Sequence, residues 1–176
     1  LKCGVRTIEH GLLDDECVDL MLVKNAFYVP TICQTQDLET ILESGLPQFM
    51  VDKALSVKEI HLEGFKKAYK AGVKIACGSD SPPLSQFTHL ELKHLKIAGM
   101  STVDTLKSGT TIPAELCGVS NTFGKIEENY IADIIVLEDN PLNNLNTVFD
   151  PTMVFKHGIK FDEQYGLASF EDIYIN

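Results

Sequence analysis

The sequence lacks any excess of basic residues. Fifteen Lys and Arg stand against 25 Asp and Glu, giving a formal charge of −10 and a pI near 4.9. A nucleic-acid or anionic-membrane surface needs clustered Lys and Arg, so both partners are excluded as the main business of the chain. The acid is spread along the sequence and acts as solubilising charge. No apolar run reaches the roughly 18 residues that a membrane span requires. No basic stretch leads into a short apolar core, so no secretory signal is visible. The chain opens on Leu1 and not on Met, and a natural N-terminus is expected upstream. Cysteine is sparse: Cys3, Cys17, Cys33, Cys77 and Cys117 are odd in number, widely spaced and form no C-x-x-C pair. A disulfide framework or a zinc ribbon is therefore not expected. Free thiols buried as small apolar groups fit instead, in a reducing cytoplasm. There is no internal repeat, no low-complexity tract and no H-x-H motif.

What is present suits one ordinary domain with a small appendage: 176 residues, 44% of them hydrophobic, enough for a real core. The first half repeats a strand, loop, helix pattern. "CGVRTIEHG" reads as a short strand, and "DDECVDLMLVKN" as a helix capped by Asp14 or Asp15. "AFYVPT" is strand-like and closed by Pro30. A mostly helical stretch runs from Gln36 to Ala71, divided near Gly45 and Pro47, with Ile60, Phe65, Ala68 and Tyr69 on its apolar face and Gly72 as the terminating residue. "VKIACGSD" is a third strand with a polar tip. Strands joined by connections too long for hairpins indicate a parallel sheet of βα units. Short helices are expected at 88–98, 101–108 and 112–118, the second opened by a capping box from Ser101 to Asp104. From Asn121 the texture becomes β-branched and turn-rich, with a hairpin about His157-Gly158. Residues 122–161 therefore read as a small all-β segment, and 162–176 as an acidic, aromatic tail with no assigned structure.

In parallel α/β folds, ligands sit at the C-terminal ends of the strands. The three tips carry Glu9-His10, Thr31 and Ser79-Asp80. An imidazole and a carboxylate at neighbouring tips suit a divalent metal such as zinc. A carboxylate beside a metal can also accept the proton of a bound water. Each residue has an ordinary reading as well. A single His after a strand is commonly a hydrogen-bonded loop residue, and "GSD" is common turn chemistry, with Gly taking positive φ and Asp capping the next segment. His61 and His94 fall in helices and read as packing residues, and His157 as a turn residue. His89, just beyond "GSDSPPLSQF", is a candidate for the wall of a substrate pocket.

The stretch from Gly4 to Phe161 resembles the C-terminal half of the metal-dependent amidohydrolases, in the branch of imidazolonepropionase-related enzymes and prolidase-like dipeptidases. "GVRTIEHGLLDDECVDLM" resembles the sixth barrel strand and its helix, "FYVPTI" the seventh strand, and "AGVKIACGSDS" the eighth. "GMSTVDTLKSGTTIPAELCGV" is similar to the helical stretch after the eighth strand, and "GKIEENYIADIIVLEDNPL" to the strand returning to a small β-sandwich. The resemblance implies an α/β fold: strands six to eight of a TIM barrel within residues 1–121, part of a composite β-sandwich at 122–161, and a tail. It implies His10 as a metal ligand, Asp80 as metal ligand and general base, and Asp133 as structural. It also implies one or two divalent ions, zinc foremost, and a metal-activated water that hydrolyses an amide or peptide-like C–N bond in a small substrate of the dipeptide or N-acyl amino acid class. A homo-oligomer is expected.

Two departures fall outside the chemistry. Asn129 stands where many members have Gly, and Thr111 is expected to cap in place of a polar residue before Pro113. The absences matter more. The family's H-x-H pair, its fourth-strand lysine and its fifth-strand histidine have no counterpart here, and an eight-stranded barrel takes about 250 residues. A zinc site normally takes three or four protein ligands. The alternative reading is an inert fragment or scaffold half that pairs with another chain through its open strand edges. A generic α/β binding domain is the third.

Overall fold

The computed structural model describes residues 1–37, 42, 47–80 and 90–161. Strands β1 (Thr7–Glu9), β2 (Phe27–Val29) and β3 (Lys74–Ile75) lie side by side in that order. Both pairings are parallel, with Thr7 opposite Phe27 and Phe27 opposite Lys74. Parallel neighbours need long crossovers. Helix α1 (Asp15–Lys24) supplies the first, and α2 (Cys33–Gln36) with α3 (Gln48–Ala71) the second. This is the βα pattern expected from the sequence.

Local chemistry explains the helix ends. The Asp14 carboxylate accepts the Cys17 amide at 2.8 Å, and Asn25 closes α1 in the left-handed region. Helix α3 begins after Pro47, and Gly72 ends it at φ 89°, a value that costs glycine nothing. Its inward stripe is His61, Gly64, Phe65 and Ala68, the three- and four-residue spacing of one helical face. Ile60 is one position off that stripe and is 56% exposed, contrary to its expected place on the apolar face. Tyr28, Phe65, Met21, Ile32 and Leu95 are fully buried in one cluster against the sheet. Each such side chain contributes about 1.5–3 kcal/mol of burial. Among the thiols only Cys33 is buried. Cys17 and Cys77 are intermediate, and Cys3 and Cys117 are exposed, because they sit in the first turn of the chain and at the end of a helix.

Three short helices come next: α4 (Leu90–Ile97), α5 (Thr102–Ser108) and α6 (Thr111–Leu116). At α5 the Ser101 hydroxyl accepts the Asp104 amide at 3.1 Å. The Asp104 carboxylate accepts the Tyr69 hydroxyl at 2.7 Å, and that hydroxyl accepts the Ser101 amide at 3.0 Å. The expected box is thus completed through a tyrosine of α3. The expected cap at Thr111 is not found. Thr111 is already helical, Thr110 holds the cap position, and its hydroxyl donates backwards to the Leu106 carbonyl at 2.8 Å.

The second sheet is antiparallel, in the order β4 (Ile134–Val136), β5 (Met153–Lys156), β6 (Ile159–Lys160). His157 and Gly158 make the two-residue turn between β5 and β6, both at positive φ, as the right-handed twist of a hairpin requires. Asp133 fastens this turn, accepting the Lys156 ammonium at 2.6 Å and the His157 amide at 2.9 Å. Asn129 takes φ 68°, the left-handed conformation that glycine would otherwise supply.

Candidate functional site

His10 directly follows β1, Thr31 stands two residues past β2 and Asp80 five residues past β3, and all three have left-handed backbones, with φ of 65°, 49° and 51°. For a β-branched threonine that is a genuine outlier. Sparse backbone regions cost about 1–3 kcal/mol each and gather where function demands a particular side-chain direction. The sequence suggests Gly78 as the residue of "GSD" needing positive φ. Gly78 instead serves a close approach: a Cβ there would lie 2.6 Å from Val29 Cγ1 on β2, while Asp80 takes the left-handed turn.

The three tips converge. His10 Nε2 stands 3.9 Å from Asp80 Oδ2, with both side chains more than half exposed. His10 Nδ1 lies 2.6 Å from Thr31 Oγ1. The Thr31 hydroxyl has one proton, and it donates that proton to the Pro30 carbonyl at 2.6 Å. Nδ1–H then donates to Thr31, and in the neutral ring Nε2, on the side of the Asp80 carboxylate, is the nitrogen left free to bind a cation. A metal-binding histidine is normally fixed in this way, by giving its other ring N–H to a neighbour. One neutral imidazole nitrogen and one carboxylate at a water-accessible tip fit a divalent ion of the zinc type. Among the described residues no third His, Cys, Asp or Glu joins them.

The turn that carries Thr31 is braced from below. The Glu91 carboxylate is fully buried and accepts the Ile32 and Cys33 amides, both at 2.9 Å. Gln34 Nε2 donates to the Ser79 carbonyl at 2.7 Å. Burial raises the Glu91 carboxyl above the usual range, against the lowering effect of those two amides. Burial, with Glu91 second, also pushes the Cys77 thiol up to about 12 and the Cys33 thiol higher still. Both remain protonated at neutral pH, so neither serves as a nucleophile.

The other histidines divide by environment. His61 is 2% exposed, with Nδ1 2.8 Å from Thr35 Oγ1 and, among the described residues, no hydrogen-bond partner within normal geometry for Nε2. Burial lowers its proton affinity, which the nearby Pro30 carbonyl, outside hydrogen-bond geometry, only partly offsets and the His10 ring reinforces. His94 packs with Nε2 3.1 Å from Asp37 Oδ2. His89 lies outside the described residues. An open groove of about 570 Å³, lined by Tyr69, Gly72, Lys74, Met100 and Asp104, lies at the opposite end of β3 and takes no part in the site. Thr31 is visible in the sequence only as a strand tip. Glu91 and Gln34 give no signal there, since an acid in the first turn of a helix and a glutamine after a proline-threonine pair are both commonplace.

Comparison with known proteins shows the family and the fold. Residues 1–160 match the model of the amidohydrolase family. The chain is 32% identical over 167 residues to ochratoxinase of Aspergillus niger, covering 92% of this chain and 35% of that protein. The chain therefore spans about a third of the length of this relative. Its fold superimposes on the crystal structure of A. niger ochratoxinase with a TM-score of 0.80, covering 92% of this chain and 38% of that one. A Xaa-Pro dipeptidase with methionine bound in its active site gives a TM-score of 0.82 at 31% identity, with 92% and 41% covered. A prolidase complexed with N-methylphosphonate-L-proline gives the same score at 33% identity, with the same coverage. With nine-tenths of this chain, residues 1–160, matched by the family model, the chain belongs to the amidohydrolase family.

Proposed function

We propose that this chain is the portion of a metal-dependent amidohydrolase that carries barrel strands six to eight, and that the whole enzyme hydrolyses an amide or peptide-like C–N bond. Residues 1–121 are then part of a (β/α) barrel, 122–161 part of a composite β-sandwich, and 162–176 a tail. The observation that carries the reading is the facing pair of His10 Nε2 and Asp80 Oδ2 at 3.9 Å, with His10 Nδ1 tied to Thr31. Coverage of only 35–41% of the ochratoxinase and dipeptidase chains supports placing the remaining ligands on strands outside these residues.

A divalent ion, zinc by the chemistry of the donors, would be held by His10 and Asp80 with further ligands, and would lower the pKa of a water towards about 7. His10 offers its Nε2 lone pair, and Thr31 keeps the ring in the tautomer that frees it. Asp80 stands at the same tip and is reached by solvent. Its carboxylate accepts the proton of the attacking water and returns it to the departing nitrogen. His89 is assigned to the substrate side of this site. The substrate is a small molecule of the dipeptide or N-acyl amino acid class, as the names of the relatives suggest. Free thiols support a reducing compartment such as the cytoplasm, and a homo-oligomer is the expected assembly. Among the described residues no helix is long and apolar enough to cross a membrane.

Asp80→Asn in the full-length protein should reduce hydrolysis of a dipeptide and N-acyl amino acid panel by at least ~100-fold, with melting temperature and bound metal measured alongside. Undiminished turnover removes Asp80 from catalysis. A second reading, a scaffold half that pairs with another chain, draws on the edges of the first sheet. Among the described residues β1 and β3 are each paired on one side only. Intact mass and the upstream coding sequence separate the two readings, and an upstream sequence without an H-x-H motif would favour the scaffold.

A further inference from the structure

Glu91 is an expensive residue in an unassigned place. It is completely buried in the first turn of α4, and its carboxylate reaches 59 residues back along the chain to the Ile32 amide and 58 back to the Cys33 amide. A buried carboxylate is costly unless its bonds matter. Capping alone does not explain it. Helix α2 is a four-residue turn, and a local Ser, Thr, Asn or Asp would satisfy its amides more simply than a distant charge. Ile32 stands at the cap position, with no side-chain oxygen to offer.

What the carboxylate does hold is the turn lying between the two candidate ligands. On one side Thr31, next to the clamped Ile32 amide, keeps its left-handed φ of 49° and touches His10 Nδ1 at 2.6 Å. On the other side Gln34 donates to the Ser79 carbonyl at 2.7 Å, and Cys33 Sγ reaches the same carbonyl at 3.8 Å, one residue before Asp80. We infer that Glu91 is a positioning residue of the amidohydrolase site: by clamping the start of α2 it sets Thr31 against His10 and Gln34 against Ser79, and so keeps His10 Nε2 and the Asp80 carboxylate turned towards each other. This rests on the function proposed above, and it gives that site a supporting layer drawn from α4, an element that supplies neither of the paired groups.

The test uses the full-length enzyme with its metal. Glu91→Gln offers an amide where two amides must be accepted, so one bond is lost. The expected loss in kcat is on the order of 10–100-fold, the usual effect of removing a group that orients a metal ligand, with KM changed by less than about threefold. Thr31→Ala should show a similar split. The double variant should be scarcely worse than the poorer single, because both act through the same contact. A purely structural Glu91 would give independent, multiplying losses and a KM effect as large as the kcat effect. If Glu91→Gln does not fold, Glu91→Asp, which keeps the carboxyl group but shortens the reach, carries the same expectation. Wild-type kcat in a folded Glu91 variant, or multiplying losses in the double, overturns the inference. Asp80→Asn is run in parallel. If that variant turns over normally, the underlying function is wrong; if it is inactive while the Glu91 variant is normal, only the positioning role is wrong.

Discussion

Gly64 gives a test in which two physical effects oppose each other. It lies in the middle of α3 on the buried stripe, where alanine should improve the helix by about 1 kcal/mol. A Cβ at this position would stand 2.7 Å from the Leu13 carbonyl oxygen and 3.0 Å from the Leu13 nitrogen. Both are backbone atoms and cannot rotate away. Leu13 is itself a core residue, so the segment cannot retreat without opening the cluster around it. Overpacking of this kind costs about 1–3 kcal/mol. Because the close atoms belong to the backbone, the cost falls in the upper part of that range, about 2–3 kcal/mol, so after the helix gain Gly64→Ala should destabilise by about 1–2 kcal/mol net. For a chain of this size that lowers the melting temperature by about 2–8 °C. Thermal unfolding followed by far-UV circular dichroism reads it directly. Leu13 lies only three residues beyond His10, so kcat should fall as well. An unchanged or raised melting temperature would falsify the close packing of α3 on this loop.

Two further outcomes concern groups whose proton affinity the fold alters. Burial lowers that of His61, so the unfolded state takes up its proton first as pH falls. Its contribution to stability is present above the ordinary histidine pKa of about 6.5 and is lost below it. Urea midpoints across pH 5 to 8 should therefore decline on the acid side, and His61→Asn should flatten that decline; an unchanged slope would remove His61 from it. Asp133 is held below its usual carboxylate range: partial burial opposes this, but the bonds from Lys156 and His157 prevail. Asp133→Ala should loosen the β5–β6 turn, raising amide exchange at His157 and Gly158 while leaving the first sheet unaffected. Uniform exchange changes over both sheets would contradict that separation.

Much of this molecule is legible in its sequence because the signals are local. Asp14, Pro47, Gly72, Ser101 and the His157-Gly158 turn each act on their own few residues, and each sits where the sequence places it, Ser101 with Tyr69 added. The parallel sheet is implied by connection length. Contacts between distant segments leave no such mark. Glu91 to Ile32 spans 59 residues, and nothing in "HLELKHLKI" marks that glutamate as the one turned inward. Ile60 departs from its expected place for a related reason, since the apolar stripe of α3 includes a histidine and a glycine that hydropathy does not count as core. Thr111 fails as a cap because one residue of slippage puts Thr110 there, with its hydroxyl turned back to Leu106. His10 and Asp80 can be named one by one, but their mutual direction depends on three left-handed turns, which no composition rule predicts.

Those three turns bear on how this protein could be engineered. Glycine would relax the backbone at His10, Thr31 and Asp80 alike, and at each it would remove a side chain of the proposed site. A library selected only for survival of heating would drift towards glycine or asparagine at these positions, and on the proposed function its hardiest survivors would lose activity. Thermostable variants are better sought with the three strand tips held fixed and variation confined to surfaces such as the outer face of α3, where Ile60 already lies in water.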